Sequence, residues 1–501
     1  MQRNSRPLGA LFGALLGVAC GARTGMFEFD ELGVGAAGDA GQGALAQGGT
    51  RAGRGGTDSV GVGGSAAAGL GGIGATAGDA GTAGQAGAGG SAPEVRVTSL
   101  AQGSAEHTCV LLSTGAVRCW GHAGNGELGY GNTNDIGDDE TPASAGDVPI
   151  GGAVRQVAAG FRHTCALLTT GKVRCWGDGT AGKLGYGNTN TVGDDETPAS
   201  VGDVDIGGFV TQISAGDDHT CALLTTGKVR CWGNGGDGAL GYGNTNDIGD
   251  DEAPASAGDV DVGGSVMQIS AGGRHTCALL LSGALRCWGS DDTVAWGNGQ
   301  LGYGDDPSLG THLTIGDDET PASVGDVPVG GPVSQVTAGD YYTCALLATG
   351  NVRCWGAGLW GALGYGNPNN VGDNETPASA GDVDVGEAVS QVSMGSHSTC
   401  ALLSSGSVRC WGEAYDGELG YGTGPYDNIG DTESPASAGD VPIGGAVSQI
   451  AVGHAHACAL LTAGTVRCWG ATFHGQLGYP GLVRGVGQYD TPSSAGDVQV
   501  F

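Results

Sequence analysis

Residues 163–177 read HTCALLTTGKVRCWG, and six further versions of this phrase stand elsewhere in the chain. Each version holds two cysteines ten positions apart: Cys109 with Cys119, Cys165 with Cys175, Cys221 with Cys231, Cys277 with Cys287, Cys344 with Cys354, Cys400 with Cys410, and Cys458 with Cys468. Fourteen of the fifteen cysteines are used in this way, and steps of 56, 56, 56, 67, 56 and 58 residues separate the first members. A fixed period decides the architecture before any local reading does. The repeat is too long for a helical pair and shows no helical apolar spacing. It holds short Val-, Leu- and Ile-rich runs bounded by Gly, Asn, Asp and Pro, which is the strand-and-turn pattern. In the second repeat the pattern predicts strands near residues 153–158, 164–168 and 172–176, and a weaker one near 203–206. Seven units of three or four strands predict an all-β, seven-bladed β-propeller over residues 93–501. The run from Cys165 to Leu168 is apolar without alternation, as expected of a strand covered on both faces by neighbouring blades.

The cysteine spacing agrees with hairpin geometry. Gly171 falls where a three-residue hairpin loop needs a left-handed residue, and every copy has glycine there: Gly115, Gly171, Gly227, Gly283, Gly350, Gly406 and Gly464. With Leu168 and Lys172 as the closing pair, Cys165 lies opposite Cys175 at a non-hydrogen-bonded site, where the backbones come closest. Seven disulfides within blades are therefore expected, given an oxidising compartment. Zinc is not, because the two-residue cysteine gaps of zinc sites are missing.

The N-terminus points to such a compartment. Arg3 and Arg6 precede an apolar stretch from Leu8 to Ala19, too short to span a membrane as a mature helix and of the length of a secretory signal. It ends at LGVAC, residues 16–20, which resembles a bacterial lipobox. The reading is a signal peptide over 1–19 and lipidated Cys20, the one cysteine without a repeat partner. An ordinary secretory signal is the plainer alternative. Residues 20–92 are mostly Gly and Ala and are expected to form a flexible tether, with a root-mean-square span of about 45 Å. Gly21 lacks the aspartate that retains many lipoproteins at the inner membrane, so an outer-membrane lipoprotein is expected, its leaflet open.

The formal net charge is −32, and residues 93–501 hold 46 acidic against 15 basic side chains. Seven of those basic residues are one repeated arginine per copy: Arg118, Arg174, Arg230, Arg286, Arg353, Arg409 and Arg467. Seven aspartates recur with them, Asp147 to Asp497, and invite ion pairs. Little positive charge remains for phosphates, which argues against nucleic-acid binding. Much of the acid lies in a recurring loop, GNTNDIGDDETPASAGDV at residues 131–148. Its order departs from the EF-hand frame. It reads as a solvated turn, with structural calcium as the alternative; no other metal or cofactor is expected.

The segment QVAAGFRHTCALLTTGKVRCWGDGTAGKLGYG, residues 156–187, resembles the repeat of the regulator of chromosome condensation family in its G-x-x-H-T, W-G and G-x-L-G elements. All seven copies carry the W-G and L-G parts, and five carry the histidine; Tyr342 and Ser398 replace it in the fifth and sixth. The resemblance implies a seven-bladed propeller and protein binding by one of its faces. The nucleotide exchange of the family's prototype has no place outside the cytoplasm.

Positions identical in every copy serve the scaffold, and positions that differ are free for function. The tryptophan after each second cysteine and the tyrosine of each L-G-Y element are scaffold, as are histidines such as His107 and His163. Trp296, Trp360, Tyr415 and Phe473 are not. They lie between W-G and L-G-Y in the fourth to seventh copies, where the first three carry His122, Asp178 and Asn234. They are expected to form an arc on one side of the rim, as interface anchors or, alternatively, folded over blade ends. Arg274, Tyr341, His397 and His454, from the variable pair before the histidine position, complete the candidate surface. No nucleophile, base and orienting group stand at motif spacing, so no catalytic residue is assigned. The sequence reads as a monomeric, lipid-anchored, protein-binding propeller; a carbohydrate-binding surface module is the alternative, and an enzyme the weaker one.

Overall fold

The computed structural model describes residues 94–101, 103, 105–293, 297–304 and 314–501. The expected signal peptide, Cys20, the expected tether and Trp296 lie outside the described residues.

Each repeat folds into one antiparallel sheet of three strands in chain order. In the second repeat these are an inner strand, Val154–Ala159, a middle strand, His163–Leu168, and an outer strand, Val173–Gly177. The middle strand is buried at all six positions, which explains its unbroken apolar run. Short pieces of chain edge the outer strand in place of a full fourth one. Val192 bridges Gly177, and the Val204 amide donates to the Val173 carbonyl at 2.9 Å. The strand expected near 203–206 is thus a single contact. Its chain turns at once, with the Ile206 amide bonded to the Val204 carbonyl. Among the described residues, only the fourth repeat builds a two-residue fourth strand, Thr314–Ile315, on Ser290 and Gly289. The phrase read as linker, Thr-Pro-Ala-Ser in four copies and a close variant in three, forms one helical turn in each, as at Pro142–Ala145 and Pro198–Val201. Proline starts it, where its missing N–H costs nothing.

The hairpin register is the expected one. The Leu168 amide donates to the Lys172 carbonyl at 2.8 Å, and Cys165 sits directly opposite Cys175. Every expected disulfide is present and stays within its own blade. Cys109 is bonded to Cys119, Cys165 to Cys175, Cys221 to Cys231 and Cys277 to Cys287. Cys344 is bonded to Cys354, Cys400 to Cys410 and Cys458 to Cys468. The Cα atoms are 4.1 Å apart in each pair, the close approach of a non-hydrogen-bonded site.

Repeated side chains tie each blade to the next. The seven scaffold tryptophans are fully buried. Their indole N–H groups also reach across: Trp176 donates to the Glu127 carbonyl of the preceding repeat at 2.8 Å. Buried histidines pair with the next blade's threonine, as in His163 Nε2 with Thr220 Oγ1 at 2.8 Å. Burial holds His163 at a pKa of about 3 and His219 at about 4, so they are neutral spacers. All seven arginines bind their aspartates within 3.0 Å. The tyrosine hydroxyls bond the cysteine backbone, Tyr186 to the Cys175 carbonyl at 3.0 Å.

Around the axis, a glutamine on six of the seven inner strands clasps the next strand in both directions. Gln156 Nε2 donates to the Ile213 carbonyl at 2.8 Å, and its Oε1 accepts the Ile213 amide at 3.0 Å. The first copy has Ser99 at this position. First and last blades share no strand, since residues 97–121 build one and 447–470 the other. Side chains join them: Gln449 with the Leu100 backbone, His456 with Thr108, Trp120 with the Gln476 carbonyl.

Candidate binding face

The loop between inner and middle strands and the loop after the outer strand leave each blade at the same end. The Asp178 amide donates to the Arg162 carbonyl at 2.9 Å, Asn234 to Asp218 at 2.9 Å and Glu413 to His397 at 3.0 Å. These paired loops make one face, and the hairpin turns make the other.

The candidate residues of the fifth and sixth repeats meet on the loop face. Tyr341 stacks on His397 with centroids 5.6 Å apart and planes at 9°, and Trp360 approaches the same imidazole at 4.6 Å. Trp360 is held at φ 54°, a left-handed conformation that bulky residues seldom take; Ala181 has the same turn at φ 55°. Burial lowers His397 to a pKa of about 4, so its ring is neutral at pH 7. Tyr415 and Phe473 are 49% and 71% exposed, in solvent rather than in the blade-end core. Tyr415 lies edge-on to Tyr426 at 5.2 Å. The described members of the arc are therefore three separate features, one inside an aromatic cluster and two on the open surface. His454 faces Phe161 at 5.7 Å, with the Arg162 guanidinium 5.2 Å over the Phe161 ring. Arg274 is exposed and pairs with Asp237 at 3.5 Å.

Asp217 and Asp340 belong to the variable pairs before the histidine position, but their convergence between these groups could not be read from the sequence. Gly273, in the fourth repeat, runs between Asp217 and Asp340. A side chain there would meet Asp217 Oδ2 and the Asp340 Cα, each at 3.0 Å. Both aspartates keep a buried Oδ1 with no hydrogen-bond partner among the described residues. Burial, then the nearby Asp340 carboxylate, pushes Asp217 well above the usual carboxylate range. The pair joins the third and fifth repeats, so no spacing along the chain marks it. Lys183 was missed for the same reason. It is almost wholly buried and bridges Asp178 at 2.9 Å and Asp218 at 2.7 Å.

Elsewhere on this face Glu418 is buried, which raises its pKa to about 8. In the recurring acidic loops, Asp138, Asp139 and Glu140 bring carboxylate oxygens within 4.8 Å, as do three further copies. Burial and a hydrogen bond with Asp139 raise Glu140 to about 7, so protons take up part of that repulsion.

A family model described as the regulator of chromosome condensation (RCC1) repeat matches seven segments: 97–127, 154–183, 210–239, 266–302, 333–358, 389–418 and 447–476. The ultraviolet-B receptor UVR8 of Arabidopsis thaliana is 31% identical over 392 residues, covering 77% of this chain and 80% of the receptor. The mitochondrial RCC1 domain-containing protein RUG3 of the same plant is 30% identical over 328 residues, covering 65% and 67%. Among solved structures, yeast RCC1 (Prp20) bound to Kap60 matches with a TM-score of 0.58 at 18% identity, covering 79% of this chain and 84% of that one. Human WBSCR16 matches with a TM-score of 0.56 at 22% identity, covering 73% and 87%.

Proposed function

The chain belongs to the regulator of chromosome condensation repeat family, and we propose that it is a protein-binding propeller whose loop face takes a basic partner. The observation that carries this reading is the pair Asp217 and Asp340, each with a buried oxygen that no group of the described chain satisfies. An unsatisfied buried polar group costs about 1–3 kcal/mol. A lysine or arginine from a partner would remove that cost at both carboxyls. Tyr341, His397 and Trp360 stand beside them and suit the stem and charge of such a side chain. The surplus of 46 acidic over 15 basic residues in 93–501 would draw a cationic protein toward this face and repel nucleic acid. Yeast RCC1, of the same fold, has been solved bound to Kap60, which supports protein binding as a use of the architecture.

The finer reading is an outer-membrane lipoprotein, supported by the lipobox-like LGVAC at 16–20 and by seven disulfides that need an oxidising compartment. Glu418 does not revive an enzyme reading, because it fills the position of Gln300 and Gln476 and supports a neighbouring loop amide as Gln476 does.

The test is affinity capture of envelope proteins by the mature chain, set beside a glycan array. Two double variants, Asp217→Asn with Asp340→Asn and Tyr341→Ala with Trp360→Ala, should each weaken capture by about thirtyfold or more, with folding intact. Phe209→Ser with Leu281→Ser, on exposed hairpin-end positions, should leave it unchanged. Glycan binding with no protein captured would replace this reading by the carbohydrate one.

A further inference from the structure

The loops of the first and last repeats bring two histidines together across the ring closure. His122 follows the outer strand of the first blade, and His474 lies in the matching loop of the seventh. Their rings meet edge to face with centroids 4.5 Å apart. Asp135, also of the first repeat, places Oδ2 3.0 Å from His474 Nδ1. One nitrogen from each ring and one Asp135 oxygen all lie within 4.8 Å of one another.

We propose that His122, Asp135 and His474 bind a transition-metal ion of the zinc class, clamping the first blade to the last. Two ligands about 2.0–2.1 Å from one ion lie roughly 3 Å apart, the separation already present between His474 and Asp135. Two imidazoles with one carboxylate suit zinc, copper or nickel; calcium and magnesium take oxygen ligands. Three protein ligands leave a position open to water or to a donor from a partner.

The surrounding contacts are those that orient metal ligands. Glu127 accepts the Nδ1–H of His122 through a fully buried side chain, which leaves Nε2 to the ion. The other Glu127 oxygen is fixed by the Asn125 amide at 2.7 Å. Asp135 Oδ1 accepts the Ala123 amide at 2.8 Å. That last bond belongs to the scaffold, because Asp247, Asn370 and Asn428 make it in other repeats. One oxygen satisfies the scaffold; the second oxygen of Asp135 is spare, and it is the one that faces His474.

The repeats also show what is particular to this place. Where the first repeat has His122, others have Asp178, Asn234 and Glu413. Where the seventh has His474, others have Asn125, Ala181, Asp237 and Asp416. The two histidines meet only because the ring brings its ends together, and His474 lies 339 positions from Asp135. Among the described residues, the other convergent ligand groups are carboxylates alone.

The experiment uses untagged mature protein stripped of metal. Zinc is titrated against a chromophoric chelator, and cobalt is used as a spectroscopic substitute. One equivalent of zinc per chain is expected, with cobalt giving the visible bands of a low-coordinate nitrogen-ligated site and with a raised melting temperature. His122→Asn and His474→Asn should each abolish stoichiometric binding and the thermal gain, while metal-free folding persists, since other repeats carry asparagine at those positions. Glu127→Gln should weaken binding about 10–100-fold. Less than one equivalent in the wild type, or equal binding in the double histidine variant, overturns the proposal and leaves a plain histidine–aspartate contact.

Discussion

Glu418 and the buried histidines set opposite limits on the pH range of the fold. Glu418 occupies the position that Gln476 fills in the seventh repeat; Gln476 accepts the amide two residues before it, and Glu418 accepts the Asp416 amide at 2.7 Å. Buried and protonated, it does the work of the amide it replaces. Its folded pKa of about 8 lies above the ordinary 4.5, so its contribution is full below 4.5 and is lost as pH rises through 8. The loop residues Glu140, Glu252 and Glu319, raised to about 7, act in the same direction. The histidines act the other way. His107 and His219 are held near 4, and His163, His275 and His456 near 3, against 6.5 when unfolded. Their contribution is full above 6.5 and is lost as pH falls toward 4. Each histidine that protonates only on unfolding adds about 1.4 kcal/mol per pH unit to that slope. Urea midpoints measured from pH 4 to pH 9 should therefore peak near pH 6.5, with a shallow rise from 4.5 to 6.5, where the raised carboxyls offset much of the histidine slope, and a steeper fall just above 6.5. Glu418→Gln should steepen the rise between pH 4.5 and 6.5 and flatten the fall between 6.5 and 8, because the difference in bound protons spans both. An unchanged alkaline limb would place a carboxylate, not a carboxylic acid, at this position.

At the level of the element, the hairpin was the most legible part of the molecule. One glycine and two cysteines ten apart fixed loop, register and crosslink, because strand pairing has a period of two and tolerates no slip. The one-turn helices at Thr-Pro-Ala-Ser were not legible, since four residues show no periodicity. The weak strand near 203–206 was over-read, because Asp-Val-Asp-Ile alternates like a strand whether it pairs once or four times. Crosslink and register can be separated by experiment. Cys165→Ser with Cys175→Ser should lower the local opening free energy of its blade by about 2–3 kcal/mol, read by hydrogen exchange at His163–Leu168. The exchange pattern of distant blades should stay as it was, as in other arrays whose units contact only their neighbours. Loss of protection around the whole ring would mean that the crosslinks maintain closure and not just the hairpins.

For the whole molecule, the propeller could be read from the repeat, while the chemistry on its loop face could not. Asp217 and Asp340 come from the third and fifth repeats and meet by the packing of consecutive blades, while His122 and His474, from the first and last, meet only through ring closure. The aromatic positions were visible as departures from the repeat, but their grouping was not, because it depends on which loop leans toward which. The anchor belongs to this scale as well. On the lipoprotein proposal, Cys20→Ser should release the protein from the membrane fraction with its propeller intact; membrane association that persists in this variant would disprove the lipid. The consecutive disulfides then give Cys20 a second importance. Fourteen thiols can pair in on the order of 10⁵ ways, yet each native pair joins nearest neighbours along the chain. A thiol oxidase acting on the chain as it emerges would reach the native set by pairing cysteines in order of arrival, with no shuffling enzyme. Order of arrival works only when the count starts in phase. A free Cys20 arriving first would take Cys109 and leave Cys119 to pair with Cys165, displacing every later pair by one; a lipid on its sulfur keeps the parity of the series.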